Sequence, residues 1–306
     1  MVKFLLKLGS FCMVVAIFVI VSVLSVPKNR VDEFYTRFTT PKANSLVIGS
    51  SRAAQGFVPE EWPRPISNFA FTMANSPYGE VYNRAIFEKL EMTSAGDVIV
   101  EVNPLTFSFD TVENPLQDDA LFAEKGKHLD RMHFFNNDPN LEYLFTSFDG
   151  PLIKLWAEPS KYNLHEDGWL EVGGDAHVDP IARQVTIDKA KSNYQKVFLT
   201  KRLSQDRIAA FRELLATLRP IKNVHLVRFP VSPEMLKLEH DYCPEFDSLM
   251  ETMANAAGID YLNYAKESDV YVTNDLHHLN KKFGRLFTKK LSEDIDQRAN
   301  QPSIEN

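Results

Sequence analysis

Two cysteines in 306 residues, Cys12 and Cys243, are too few for a zinc finger, an iron–sulfur cluster or a disulfide framework. Glycine and proline are sparse, at 12 and 17 residues, which excludes a collagen-like or low-complexity chain. Excess positive charge is missing. The formal net charge is −7, which argues against a nucleic-acid partner. No internal repeat is visible. What the chain does have is apolar mass: 44% hydrophobic residues, with 22 phenylalanines, are enough for a real core and exclude disorder as the main state. The length suits two domains, or one α/β domain with a large insertion.

Charge is also missing from Leu8 to Pro27. About 20 apolar residues in a helix span a bilayer core of about 30 Å. Lys3 and Lys7 precede the run, and Lys28 and Arg30 follow it, so the charge balance orients it only weakly. A cleaved signal peptide is the alternative to a permanent anchor. Its apolar core is usually about 7–15 residues, shorter than this one, and Leu24-Ser25-Val26-Pro27 is a poor small-x-small cleavage site. The reading is therefore a signal anchor over residues 1–27. It makes a single-pass cell-membrane protein with its main domain in the periplasm or outside the cell. No lipobox precedes Cys12. Residues 28–44 are polar and mixed, and read as a stalk. Residues 1–30 carry four cations and no acid, which leaves the rest of the chain at −11.

From residue 45 strand-like and helix-like runs alternate. Ser45–Ile48, Ile66–Phe71, Asp97–Val102, Val224–Phe229 and Ile259–Leu262 read as strands. Helical spacing runs through Glu80–Leu90, residues 203–218, a segment ending near Gly258, and Asn280–Ile295. Such alternation predicts an α/β fold, a three-layer sandwich around a central parallel sheet, over residues 45–306. Residues of about 104–202 break the rhythm and read as an insertion: a lid, a subdomain or scaffold decoration.

Open parallel sheets take ligands beyond the carboxyl ends of their strands. Gly49-Ser50-Ser51-Arg52 follows the first strand, Thr72-Met73-Ala74 the second and Asn103-Pro104 the third; Asp275-Leu276-His277-His278 precedes the last helix. A serine, a histidine and a carboxylate are the parts of acyl chemistry. Ser51 is the candidate nucleophile, His278 its base, and Asp275 the group that orients the imidazole. The Ser51 amide and the Asn103 side chain are candidate oxyanion donors. Arg52 is a candidate contact for an anionic substrate. Each has a plainer role open to it: Ser51 or Asp275 as a helix cap, Asn103 as a turn former, His278 and Arg52 as surface groups. His165, Glu166 and Asp167 could ligate a metal but read as a solvated turn. No cofactor or metal set is visible.

The order of these blocks resembles the SGNH, or GDSL-type, hydrolase superfamily. Ser51 in Gly49-Ser50-Ser51 matches the family nucleophile, with Ser50 in place of the family aspartate. Asn103 matches the asparagine of the third block, whose glycine and aspartate are missing. Asp275-Leu276-His277-His278 matches the final Asp-x-x-His, and Leu279-Asn280-x-x-Phe283-Gly284 fits behind it. The second block has no glycine in Asn68–Ala74, so the amides of Met73 or Ala74 would serve the oxyanion. The likeness covers residues 45–103 and 223–295. With an N-terminal anchor, it is similar to membrane-anchored members of surface-polymer O-acylation systems.

The resemblance implies a serine esterase or O-acyltransferase acting through an acyl-Ser51 intermediate. Its substrate would be an acylated envelope polysaccharide or a small acyl ester, with a membrane acyltransferase as a candidate partner. The rival reading is a non-catalytic protein that keeps the fold and binds a polysaccharide or such a partner.

Overall fold

Short aliphatic runs such as Leu46-Val47-Ile48 and Val98-Ile99-Val100 carry no polar face, as strands covered on both sides require. In the computed structural model they form a five-stranded, wholly parallel sheet. Residues 1–28, 31–72, 78–92, 96–112, 128–148, 150, 154–157, 163–172, 180–267 and 270–300 are described. The strands are β1 (Leu46–Ile48), β2 (Ser67–Asn68), β3 (Asp97–Glu101), β4 (Ser108–Asp110), β5 (Asn163–Leu164), β6 (Leu170–Glu171), β7 (Lys201–Leu203), β8 (Asn223–Arg228) and β9 (Asp260–Asn263). The central sheet runs β2-β1-β3-β8-β9. Its register places Leu46 beside Val98 and Val98 beside Val224.

Side chains alternate across a strand, and here the alternation sorts them into two apolar clusters. Leu46, Ile48, Val98, Val100 and Leu226 pack with helices Glu80–Lys89, Gln205–Leu218 and Phe246–Ala257. Val47, Ile99, Val227 and Leu262 pack on the other face with helices Ser51–Gly56 and Lys281–Ala299. The expected strands and helices thus appear within a few residues of their places in the sequence. The second strand is shorter than expected, although the Phe69 and Phe71 amides still reach the carbonyls of Val47 and Gly49.

Two helices of ten or more residues went unforeseen, Pro180–Thr200 and Pro233–Tyr242. The first has little apolar contrast around its circumference. Only Ile187, Ala190, Tyr194 and Phe198 lie against a small cluster of Val231, Met235, Ala265 and Leu276. Within the expected insertion, β4 and β7 pair antiparallel and so join its two ends. The hairpin β5–β6 docks on β2: the Asn68 amide donates to the Asp167 carbonyl at 2.7 Å. Gly168 makes that approach feasible, since its φ is +87° and a Cβ would lie 2.1 Å from the Asn68 carbonyl oxygen.

The stalk reading needs correction. Val31, Phe34, Tyr35 and Phe38 are buried in the first core cluster. Arg37 is buried too, donating to the carbonyls of Asn68 and Gly168. The polar residues between these aromatics hide an inward face in the sequence. Ahead of them, helix Val2–Leu24 is long and apolar enough to cross a membrane, and its span Val2–Ser22 buries nothing against the domain.

Candidate active site

The turn from β1 into helix Ser51–Gly56 is pinned from below by a buried acid. Gly49 has φ +142°, and a Cβ there would stand 2.6 Å from the Glu101 Cβ, so this position requires glycine. Its amide donates to Tyr82 Oη at 2.9 Å. The Ser50 amide donates to Glu101 Oε2 at 2.7 Å. Ser50 is the N-cap, its Oγ accepting from the Arg52 amide. Ser51 is the first helical residue, where backbone amides have no intrahelical acceptor.

Its hydroxyl is met from the far end of the chain. Ser51 Oγ lies 2.8 Å from His278 Nε2. His278 Nδ1 lies 2.8 Å from Asp275 Oδ2. Asp275 curls over its own loop, its Oδ1 accepting from the amides of His277 and His278 at 2.9 Å each. Burial by itself would raise the Asp275 carboxyl. The hydrogen bond from His278, the nearby imidazoles and the His277 amide instead hold it well below the usual carboxylate range. An ionised Asp275 fixes the tautomer: Nδ1 carries the proton, and Nε2 is left to accept from Ser51.

His277 is the neighbour that does not reach the serine. Burial holds it well below the ordinary histidine range, so it is neutral at pH 7. Its Nε2 lies 2.9 Å from Tyr194 Oη on helix Pro180–Thr200, and its ring centroid is 3.8 Å from that of His278.

Asn103 stands beside the turn, but its amide is committed. Nδ2 donates to Ser50 Oγ at 3.1 Å and to Glu101 Oε1 at 2.8 Å, which uses both hydrogens. Its Oδ1 accepts from the Leu105 amide. Arg52 points inward: it is buried and ion-paired with Glu239, which also binds Arg228 Nη2 at 2.8 Å. Met73 and Ala74 lie outside the described residues. His165 is engaged by Glu171 at 2.8 Å, and Asp167 accepts from the Trp169 amide.

Sequence reasoning missed Glu101, Tyr82, Glu239 and Tyr194. Glu101 left one signal, as the lone acid ending an otherwise apolar interior in Asp97-Val98-Ile99-Val100-Glu101. The others sit on helices where a polar residue looks like part of a solvated face.

Asp275, His277 and His278 are the one group of three His, Cys, Asp or Glu side chains among the described residues with donor atoms close enough for a metal. Those donors are largely engaged: both nitrogens of His278 and both oxygens of Asp275 already hold hydrogen bonds. EDTA is therefore expected to leave esterase activity or labelling unchanged. Loss with the chelator and recovery with one metal would reverse this.

No family model matches the chain, and a search of curated proteins finds no match either.

Proposed function

We propose that the protein is a membrane-anchored, extracytoplasmic serine esterase or O-acyltransferase of SGNH type, acting on an acylated envelope polysaccharide or related polymer. The observation that carries this reading is the unbroken relay Asp275–His278–Ser51, with both links at 2.8 Å, beyond the carboxyl end of β1. The strand order supports it. Counted within the sheet it is 2-1-3-4-5, the flavodoxin-like order, and Ser51 follows the strand where that order reverses.

Ser51 Oγ attacks the ester carbonyl carbon as its proton passes to His278 Nε2. Asp275 stabilises the imidazolium. The carbonyl oxygen becomes an oxyanion, met by the Ser51 amide at the helix start. The tetrahedral intermediate collapses, the C–O bond to the alcohol breaks, and His278 returns its proton to the leaving oxygen. Water or a sugar hydroxyl then attacks acyl-Ser51 by the same steps in reverse. Hydrolysis and transfer differ only in that acceptor.

One observation favours the non-catalytic rival: Asn103 has no amide hydrogen left for an oxyanion. The test is reaction of purified full-length protein with a fluorophosphonate probe and an acetyl ester. Labelling at Ser51 with ester turnover supports the enzyme. Folded protein that does neither supports the binding protein.

Replacing Asp275 by Asn separates orientation from nucleophilicity. The amide oxygen keeps the backbone bonds of His277 and His278, while the imidazole loses its anionic partner and its tautomer. The labelling rate is expected to fall by up to about 10⁴-fold, with the melting temperature little changed. An unaltered labelling rate would remove Asp275 from the relay.

A further inference from the structure

The helix that spans the membrane, on the reading above, leaves almost no slack before the folded domain. It ends at Leu24, and Val26 already packs against the core. Lys28 pairs with Asp138. Four residues reach at most roughly 14 Å, so Lys28 lies within or just above the headgroup layer. Asp138, the partner of Lys28, is held at that level too, and residues 31–40 follow closely in the chain.

One segment is fastened there by several independent bonds. Tyr143 Oη donates to Asp32 Oδ2 at 2.7 Å. The Asn140 amide donates to Tyr35 Oη, and its side chain to the Phe38 carbonyl at 3.1 Å. Lys89 Nζ bridges the carbonyls of Thr40 and Phe135. Leu129, Met132, Phe135, Tyr143 and Leu144 of this segment are buried in the core.

Three further large apolar residues of it face outward. Phe134 is 56% exposed, Leu141 49% and Phe145 64%. Leu141 and Phe145 are four residues apart on helix Leu141–Thr146, hence on one face of it. Phe134 is tied to the same helix, its amide donating to Glu142 Oε2 at 2.8 Å. Exposed apolar groups gathered in this way mark an interaction surface.

We propose that Phe134, Leu141 and Phe145 insert into the interfacial layer of the bilayer that holds helix Val2–Leu24, as a second membrane contact that fixes the tilt of the domain. The inference rests on the spanning reading of that helix. The occupant follows from continuity: the patch belongs to the segment bonded most directly to the residues leaving the membrane. Apolar side chains of an interfacial helix sink about 5–10 Å into the headgroup and acyl boundary, a depth compatible with so short a connection.

The test uses the full-length chain in lipid nanodiscs of phosphatidylethanolamine and phosphatidylglycerol. In a Cys12→Ser, Cys243→Ser background, single cysteines replace Leu141, Phe145 or Glu251 and carry an environment-sensitive fluorophore. Glu251 is an exposed control on helix Phe246–Ala257, which packs at the β9 edge of the sheet. Labels at 141 and 145 are expected to be quenched by acyl-chain-brominated lipid and shielded from aqueous iodide, with the reverse at 251. Iodide quenching at 145 equal to that at 251 would overturn the proposal. Protection from both quenchers would overturn it too, by showing that protein covers the patch. Alkaline carbonate extraction of native membranes keeps the two readings apart: release of the chain sinks the spanning helix, whereas a retained chain with an iodide-accessible patch sinks only the second contact. Melting temperatures verify that each variant is folded.

Discussion

Ser51→Ala is expected to abolish reaction with a fluorophosphonate, and His278→Ala to slow it by about 10⁴-fold or more, on the order of what paired nucleophile and base lose together. The reaction joins the serine oxygen to phosphorus through a charged, five-coordinate state from which fluoride leaves. It therefore needs both the oxygen and a base to take its proton. A 2.8 Å contact to Nε2 supplies that base, and the neighbouring His277 cannot substitute for it, because it is turned to Tyr194. Both variants should remain folded. Removing the serine hydroxyl costs about one hydrogen bond, roughly 1 kcal/mol, and no core side chain is lost. Mass spectrometry of the labelled peptide, paired with a melting curve, checks both halves. Labelling that survives Ser51→Ala would place the reactive group elsewhere.

The largest expected effect on stability comes from Glu239→Ala. This carboxylate is fully buried between the guanidinium groups of Arg52 and Arg228. Its loss strands Arg52 without an ion partner, while Arg228 keeps Asp247. Breaking a buried pair from one side typically costs about 3–5 kcal/mol, because the remaining charge stays desolvated. Arg52 follows Ser51 in the same short helix, so labelling should fall along with stability. Chemical denaturation of the variant measures the first effect. The double variant Arg52→Met, Glu239→Leu is the control: with neither charge buried, most of the lost stability should return. A single variant as stable as the parent would show that the pair is not desolvated as described.

The parallel sheet was legible because its inner strands β1 and β3 are covered on both faces and so carry apolar runs, Leu46-Val47-Ile48 and Val98-Ile99-Val100, punctuated by Gly49 and Gly96. The relay was legible for a different reason. Asp275 and His278 lie three residues apart, and Ser51 follows a strand end, so each group could be located without knowing the packing between them. Partners that arrive from distant segments could not be located that way. Tyr194 meets His277 from a helix with too little apolar contrast to announce itself. Glu239 lies on an ordinary helix face, and only the tertiary fold shows which cations it neutralises. The segment after the anchor failed as a stalk because its polar residues outnumber the four large side chains that turn inward. Asn103 fell at the expected strand end, yet its hydrogens go to Ser50 and Glu101, a matter of side-chain orientation that spacing does not encode.

The two ends of the Ser51–His278 contact lie 227 residues apart in sequence. A ribosome makes the chain N-terminus first, at roughly 5–20 residues per second. About 10–45 s therefore separate synthesis of the serine from synthesis of its base at that rate. For most of this interval β9 does not exist, for all of it the final helix does not, and Ser51 lacks its imidazole partner. On the proposed reading Ser51 gains its base only when the C-terminal quarter folds back over β1, so a chain truncated before residue 275 is expected to stay unlabelled by the probe however well its first strands have formed.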